Sequence, residues 1–457
     1  MRKKELFLEQ SVLFISVVKW FFLATSTGAI VGASTAFFIS ILNSSIFFIS
    51  EYPYYFLALP FALFLSGLLI KYLCPEARGH GTERVIDAIH RYSGRMNPLT
   101  VPVKLAATVI TIAAGGSAGK EGPAAQIGAG LSYIFSSLFR FNKKDRRKLV
   151  ICGISAGFAS VFGTPIAGAL FGIEVLSIGS IFYDVMFPSF VAGIIAHQVS
   201  SSLGVEYFYH TVEFVPKFSE FFFIKVLTGA VFFGLCSLLL IEALKLAESI
   251  SRKITLWEPL KGLIGGAFLV LLAFTISPKY LGLGLGTIES VLEGSKVMPF
   301  DFAFKILFTA VTLAFCGSGG VVTPIFFTGV TAGSFIGMVL GYDPSMFAAI
   351  GMVSLLAGAA NTPISASIMA MEFFGPEIAP YAAVSCIVSY LMTGHRSVYP
   401  SQVLATTKSP SIFIQPGVMM EHLDSIKIRP RPHSLTDALV RIITAAKTLR
   451  NRFIKKQ

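Results

Sequence analysis

The chain is short of charge. Of its 457 residues only 14% are Asp, Glu, Lys or Arg, against 54% hydrophobic, and the mean hydropathy is +0.72. A soluble surface carries about a quarter or more of its residues as charges, so this composition excludes a water-soluble globular protein. Between Lys19 and Glu51 charge is absent altogether, a run of 31 residues. That exceeds the roughly 20 needed to cross a bilayer, and it predicts a long, tilted helix. A signal peptide is the poorer reading, because its apolar core would be about half that length or less. Further nearly uncharged runs at 52–70, 105–119, 149–173, 185–205, 226–241, 263–278, 306–371 and 378–394 make the body one polytopic membrane domain. Tryptophan is scarce too: Trp20 and Trp257 lie near span ends and read as interface anchors. The five cysteines (Cys74, Cys152, Cys236, Cys316 and Cys386) are odd in number and scattered through apolar stretches. No disulfide framework or metal spacing follows, and they read as packing residues. The seven histidines show no His-x-x-x-His pair and no Ser/His/Asp grouping. No catalytic constellation, metal or cofactor is therefore expected, and the chain reads as something other than an enzyme.

The charge that is present is mostly positive, +12 net, and it is clustered. Arg2–Lys4, the run from Arg140 to Lys148, and the tail after Lys427 are the basic blocks. They flank apolar spans, so lipid headgroups suit them better than nucleic acid, and they predict cytoplasmic termini.

The most unusual stretch is Gly115 to Gly130, GGSAGKEGPAAQIGAG, which sets Lys120, Glu121 and Pro123 together inside an apolar surrounding. It fails as a phosphate-binding loop: Ala114 holds the first glycine's place and Glu121 follows the lysine. Pro123 suits the first turn of a helix. Helix N-termini are anion sites, so Glu121 reads as a tethered carboxylate at a place where a free anion can compete. A plain N-cap carboxylate is the simpler alternative for such a motif taken alone.

A repeat argues for the fuller reading. Residues 164–174 (TPIAGALFGIE) match 362–372 (TPISASIMAME) at an offset of 198. Upstream, Gly119–Pro123 (GKEGP) and Gly320–Pro324 (GVVTP) match at an offset of 201. Concordant offsets predict a duplicated half of about 200 residues. Such duplications in transporters are often inverted, and broken helices then meet at a mid-membrane site. A third turn, RGHGT at Arg78–Thr82, reads as the opening of a short helix over 83–90. The segment after Ser434 predicts a basic amphipathic helix on the inner membrane surface. The expected division is a membrane domain over 1–407, with halves of about 12–205 and 222–407, and a short basic tail over 408–457.

GKEGP, GVVTP and GHRSVYPSQ (Gly394–Gln402), together with RGHGT, resemble the motifs of the CLC family of chloride channels and chloride/proton antiporters. The resemblance covers about residues 15–407. It implies an all-α polytopic membrane protein with an inverted repeat and broken half-helices meeting at a central anion site. It further implies Glu121 as the gate and chloride or a similar small anion as substrate. The implied anion-binding positions are Gly79, His80, Gly81, Gly119, Lys120, Gly122, Pro123, Gly320, Val321, Val322 and Tyr399. A homodimer built on helices near 165–200 and 363–393, in a bacterial inner membrane, is implied as well.

Two departures qualify the likeness. His80 stands where the family has a serine, either donating to the ion or staying neutral in a packed turn, and Glu83 stands where the family has a proline. Glu174 matches the first of two glutamates in the family's antiporters, but Val175 holds the place of the second, proton-accepting one. Valine carries no proton, so the expectation is channel-like transport without strict proton coupling. Glu174 itself reads as a helix-orienting carboxylate, and the alternative is an antiporter relaying protons by water between Glu121 and Glu174.

Overall fold

The computed structural model describes residues 2–210, 219–423, 426–430, 432, 434 and 437–438. The described chain is two runs of eight helices. The first comprises α1 (Arg2–Ser50), α2 (Leu59–Leu73), α3 (Thr82–Tyr92), α4 (Thr100–Ala113), α5 (Glu121–Leu138), α6 (Lys143–Phe162), α7 (Pro165–Glu174) and α8 (Tyr183–Ser202). The second comprises α9 (Glu220–Lys253), α10 (Glu258–Thr275), α11 (Leu285–Leu292), α12 (Asp301–Ala314), α13 (Val322–Leu340), α14 (Pro344–Ala360), α15 (Pro363–Phe374) and α16 (Ala379–Thr393). Among the described residues, five of these segments are long and apolar enough to cross a membrane, and several shorter apolar helices accompany them. The protein is an integral membrane protein.

The two runs pack alike. α5 lies on α6 as α13 lies on α14, α1 on α8 as α9 on α16, and α6 on α8 as α14 on α16. Across the halves three helices meet their own counterparts, α2 with α10, α5 with α13 and α7 with α15, as they do about a two-fold axis. Lipid supplies no hydrophobic drive between helices, so close backbone approach through small residues has to hold them. Here a Cβ on Gly128 or Gly153 would strike the other's carbonyl across α5 and α6, and Gly329 and Gly351 repeat this across α13 and α14.

Polar ties between the halves come in reciprocal pairs. The Ser117 amide donates to Thr312 Oγ1 at 3.1 Å, and the Ser318 amide donates to Thr111 Oγ1 at 3.1 Å. The Glu372 carboxylate accepts from the amides of Ile166 (2.9 Å) and Ala167 (2.8 Å), at the start of α7. Glu174 does the same for Ile364 (3.0 Å) and Ser365 (2.8 Å), at the start of α15. Pro165 and Pro363 open those helices, and each first turn is capped by an acid from the other half. Both repeat offsets are present in these contacts, 201 up to α5 and 198 from α6 onward.

One face of the molecule carries the basic run: Arg146 Nε donates to the Ser93 carbonyl beyond α3 (3.0 Å), and Lys19 pairs with Asp145 (2.6 Å). On this face β1 (Ser177–Ile178) pairs in parallel with β2 (Val403–Leu404), and β3 (Ile412–Phe413) pairs antiparallel with β4 (Lys427–Ile428). An Arg91–Glu421 ion pair holds this end of the chain against α3. Trp257 is partly exposed at the start of α10, but Trp20 is only 7% exposed, because α1 continues past it and Lys19 and Lys148 lie over its ring. The expected amphipathic tail helix falls almost wholly outside the described residues.

Candidate anion site

The N-termini of α5 and α13 meet inside the protein. Gly119 and Gly320 form a two-bond antiparallel bridge, N–H to O=C at 2.8 and 2.7 Å. Neither helix therefore begins in water, and both point their unpaired first-turn amides at the same buried place. Glu121 fills that place. Its side chain is 0% exposed. One carboxylate oxygen accepts from the Val322 amide (2.6 Å) and the other from the Thr323 hydroxyl (2.8 Å). A Cβ on Gly119 or on Gly320 would strike these oxygens, so the two glycines are the floor of the seat. Val321 is the cap residue of α13, and Gly122 and Pro123 lie buried in the first turn of α5. Lys120, the cap residue of α5, is half-buried beside Glu121.

The RGHGT turn comes to the same place. Gly81 has φ +82°, and its backbone lies so close to α5 that a Cβ would strike the Gly122 carbonyl. Gly79 also takes φ +82°. The helix that follows, α3, starts at Thr82 and ends at Tyr92, slightly longer than the 83–90 expected. His80 is half-buried, and among the described residues its Nδ1 has no hydrogen-bond partner. It lines a cavity of about 660 Å³ that reaches the basic face between α3, α9 and the 395–401 loop. Tyr399, 1% exposed, follows Val398 of the cavity lining and lies within electrostatic reach of Glu121, with Thr82 beside its hydroxyl.

The site thus joins Gly79–Gly81, Gly119–Pro123, Gly320–Val322 and Tyr399. Glu174 lies apart, with both oxygens taken by α15 amides, and Val175 is fully buried in the main core.

Several residues at the site had not been singled out. Thr323 donates to the Glu121 carboxylate, and its only sequence signal was a polar residue inside GVVTP. Gln402 is 0% exposed and organises the tyrosine turn. Its Oε1 accepts from Ser397 (2.6 Å) and Asn361 (3.1 Å), and its Nε2 donates to the carbonyls of Val175 and Ala360 (both 2.8 Å). Ser397 in turn accepts from the Tyr399 amide (2.9 Å). Lys104 and Lys305 are fully buried and form no salt bridge among the described residues. Lys104 Nζ donates to the carbonyls of Ala77 and Gly79, and Lys305 Nζ to those of Tyr280 and Gly282. Each pins the loop leading into α3 or α11 by these contacts. Their sequence signal was a lone lysine at the repeat offset.

A broken-helix seat occupied by a tethered carboxylate is an anion-transport arrangement. A family profile described as Voltage gated chloride channel matches residues 61–394. The chain belongs to this family, the CLC family. A chloride/fluoride channel protein of Pseudomonas syringae pv. tomato is 38% identical over 88% of this chain and 90% of its own length. The voltage-gated ClC-type chloride channel ClcB of Salmonella typhimurium is 24% identical over 84% and 92%. Among solved structures, a CLC-type fluoride/proton antiporter superposes with a TM-score of 0.81 at 27% identity, covering 86% of this chain and 99% of its own. A slow cyanobacterial chloride/proton antiporter, at 19% identity and TM-score 0.71, shares the fold. CLC proteins move anions across membranes, and the inverted-repeat expectation holds.

Proposed function

We propose that this CLC protein moves fluoride as well as chloride through a path closed by Glu121. The observation that carries this is the Glu121 carboxylate on the Val322 amide and the Thr323 hydroxyl, over the Gly119–Gly320 floor. These neutral donors suit a dehydrated anion without opposing it with a fixed, unpaired charge. An ionised Glu121 holds the seat, and an entering halide or a proton releases it. The sequence expectation was chloride or a similar small anion; fluoride is named because a 38% identical relative bears both ions in its name and a solved structural neighbour is a fluoride/proton antiporter. His80, with an unpartnered ring nitrogen over the vestibule, is the donor we assign to the inner end.

Two observations bear on coupling. Val175 and the amide-engaged Glu174 favour an uncoupled, channel-like path, whereas the fluoride/proton antiporter neighbour favours exchange. By the positive-inside rule the basic face is cytoplasmic, in a bacterial plasma membrane. The chain acts as a transporter without a cofactor and not as an enzyme. It pairs with a second copy through α7, α8, α15 and α16, which expose Ile166, Ile194, Ile364 and Ile387.

The test is reconstitution into vesicles. Fluoride and chloride efflux is followed with ion-selective electrodes, and the reversal potential is read under a proton gradient at fixed halide. Efflux of both ions is expected. Trapped halide under every gradient refutes the transport reading, and a reversal potential that shifts with the proton gradient refutes the channel-like one.

A further inference from the structure

Glu83 is unexplained by the anion seat. It is the second residue of α3, and its carboxylate accepts hydrogen bonds from the Ser401 amide (3.0 Å) and the Ser401 hydroxyl, two residues beyond Tyr399. It also lines the 660 Å³ vestibule next to His80. An ionised carboxylate there repels the anion the path carries. A neutral carboxyl at this place, beside the turn that carries Tyr399, removes that repulsion.

We propose that Glu83 is the proton-binding residue at the inner end of the anion path, taking its proton from the vestibule and admitting anions past Tyr399 in its neutral form. This deepens the transport reading above and rests on it. The proton leaves a hydronium ion or buffer acid in the vestibule and forms an O–H bond on one carboxylate oxygen. The Ser401 hydroxyl, a donor to the ionised form, rotates to accept from the neutral one.

The two positions at which the resemblance places an inner pair of acids are worse placed. Val175 carries no proton, and Glu174 is outside the vestibule lining with both oxygens held by amides. Tyr399 lies within electrostatic reach of Glu121 and Glu83 alike. α3 is a short polar helix, and Glu83 lies in the lining of the vestibule. Burial pushes its carboxyl up to about 7, with the Ser401 hydrogen bonds and Arg84 pulling the other way. Charged neighbours on its own helix are Arg84, Asp87 and Arg91, with Arg78 and His80 ahead of it. Facing it are Lys245, Glu248 and Arg252 from α9, His395, Arg396 and Tyr399 from the following loop, and Glu421 and His422 from the tail. Basic groups outnumber acids, so the vestibule still attracts anions while Glu83 is neutral.

A raised acid is neutral below its pKa, so halide efflux falls as inner pH rises through about 7. The neutral fraction, and with it the rate, changes about tenfold between inner pH 6 and 8. The experiment uses oriented vesicles with outer pH clamped and inner pH varied. Glu83→Gln is expected to lose the inner-pH response while keeping a response to outer pH, the side from which the proposed gate Glu121 takes its proton. Ser401→Ala keeps the acid but removes one donor to its ionised form, so the response persists with a higher midpoint. An inner-pH response in Glu83→Gln equal to wild type overturns the proposal, and so does an unmoved midpoint in Ser401→Ala. A wild-type protein that passes halide with no inner-pH response also overturns it, while one that passes no halide overturns the transport reading with it.

Discussion

Replacing Glu121 by Gln changes the charge of the gate and almost nothing of its shape. The amide oxygen can still accept from the Val322 amide (2.6 Å in the carboxylate form), and the Thr323 hydroxyl can turn to accept from the new NH₂ (2.8 Å). What disappears is charge assistance in both bonds. A hydrogen bond to a charged group contributes about 1.5–3 kcal/mol against about 0.5–1.5 for a neutral one, so the seat loses about 1 kcal/mol per bond. Two such losses, about 2 kcal/mol, correspond to about a 30-fold weaker hold on the side chain. An entering halide competes for the same donors, so the concentration giving half-maximal efflux is expected to fall by that factor. The pH response should vanish at the same time. In wild type, acid neutralises the carboxylate and releases it, so efflux rises as outer pH falls; the variant has no proton to gain. Halide efflux from vesicles at outer pH 4.5 to 8.5, measured over a range of halide concentrations, reads both effects. A Gln variant that keeps the wild-type outer-pH dependence would falsify the assignment of Glu121 as gate.

Gly119→Ala places a Cβ first against the Glu121 carboxylate, at a backbone conformation open to alanine. It should fold, unseat the gate by more than about 2 kcal/mol, and flatten the outer-pH profile as Glu121→Gln does; a wild-type profile would show that the glycine floor is unnecessary. Glu174→Gln and Glu372→Gln each remove a carboxylate from a helix N-terminus of the other half. Each should cost about 1 kcal/mol in thermal unfolding, with the reversal potential unmoved. A changed reversal potential in Glu174→Gln alone would instead make that residue a proton carrier.

Much of the architecture was legible because membranes leave few options. An apolar chain with no water to satisfy its backbone has to form helices, and Pro165, Pro363 and Pro123 mark where they start. The repeat was legible as two offsets, and the reciprocal contacts show why they persisted. Glu174 caps α15 while Glu372 caps α7, and Lys104 and Lys305 pin equivalent loops, so each half completes the other. Gln402 and Thr323 were not legible. Their roles depend on partners far along the chain, Val175 and Ala360 for the one and Glu121 for the other, and no local pattern brings those together.

Composition and spacing alone determined that the chain lives in lipid, that its body is doubled, and that an acid stands at a helix start. Those are properties of hydrophobicity and of local backbone stereochemistry, both of which act over a few residues at a time. Only tertiary packing decided that two helix starts from opposite halves face one another, that their glycines touch, and that the acid of one lies on the amides of the other. It also placed Glu83 against Ser401, residues more than three hundred positions apart. Meetings of that kind follow from how the two halves dock, and an anion site made of backbone amides exists only once they have.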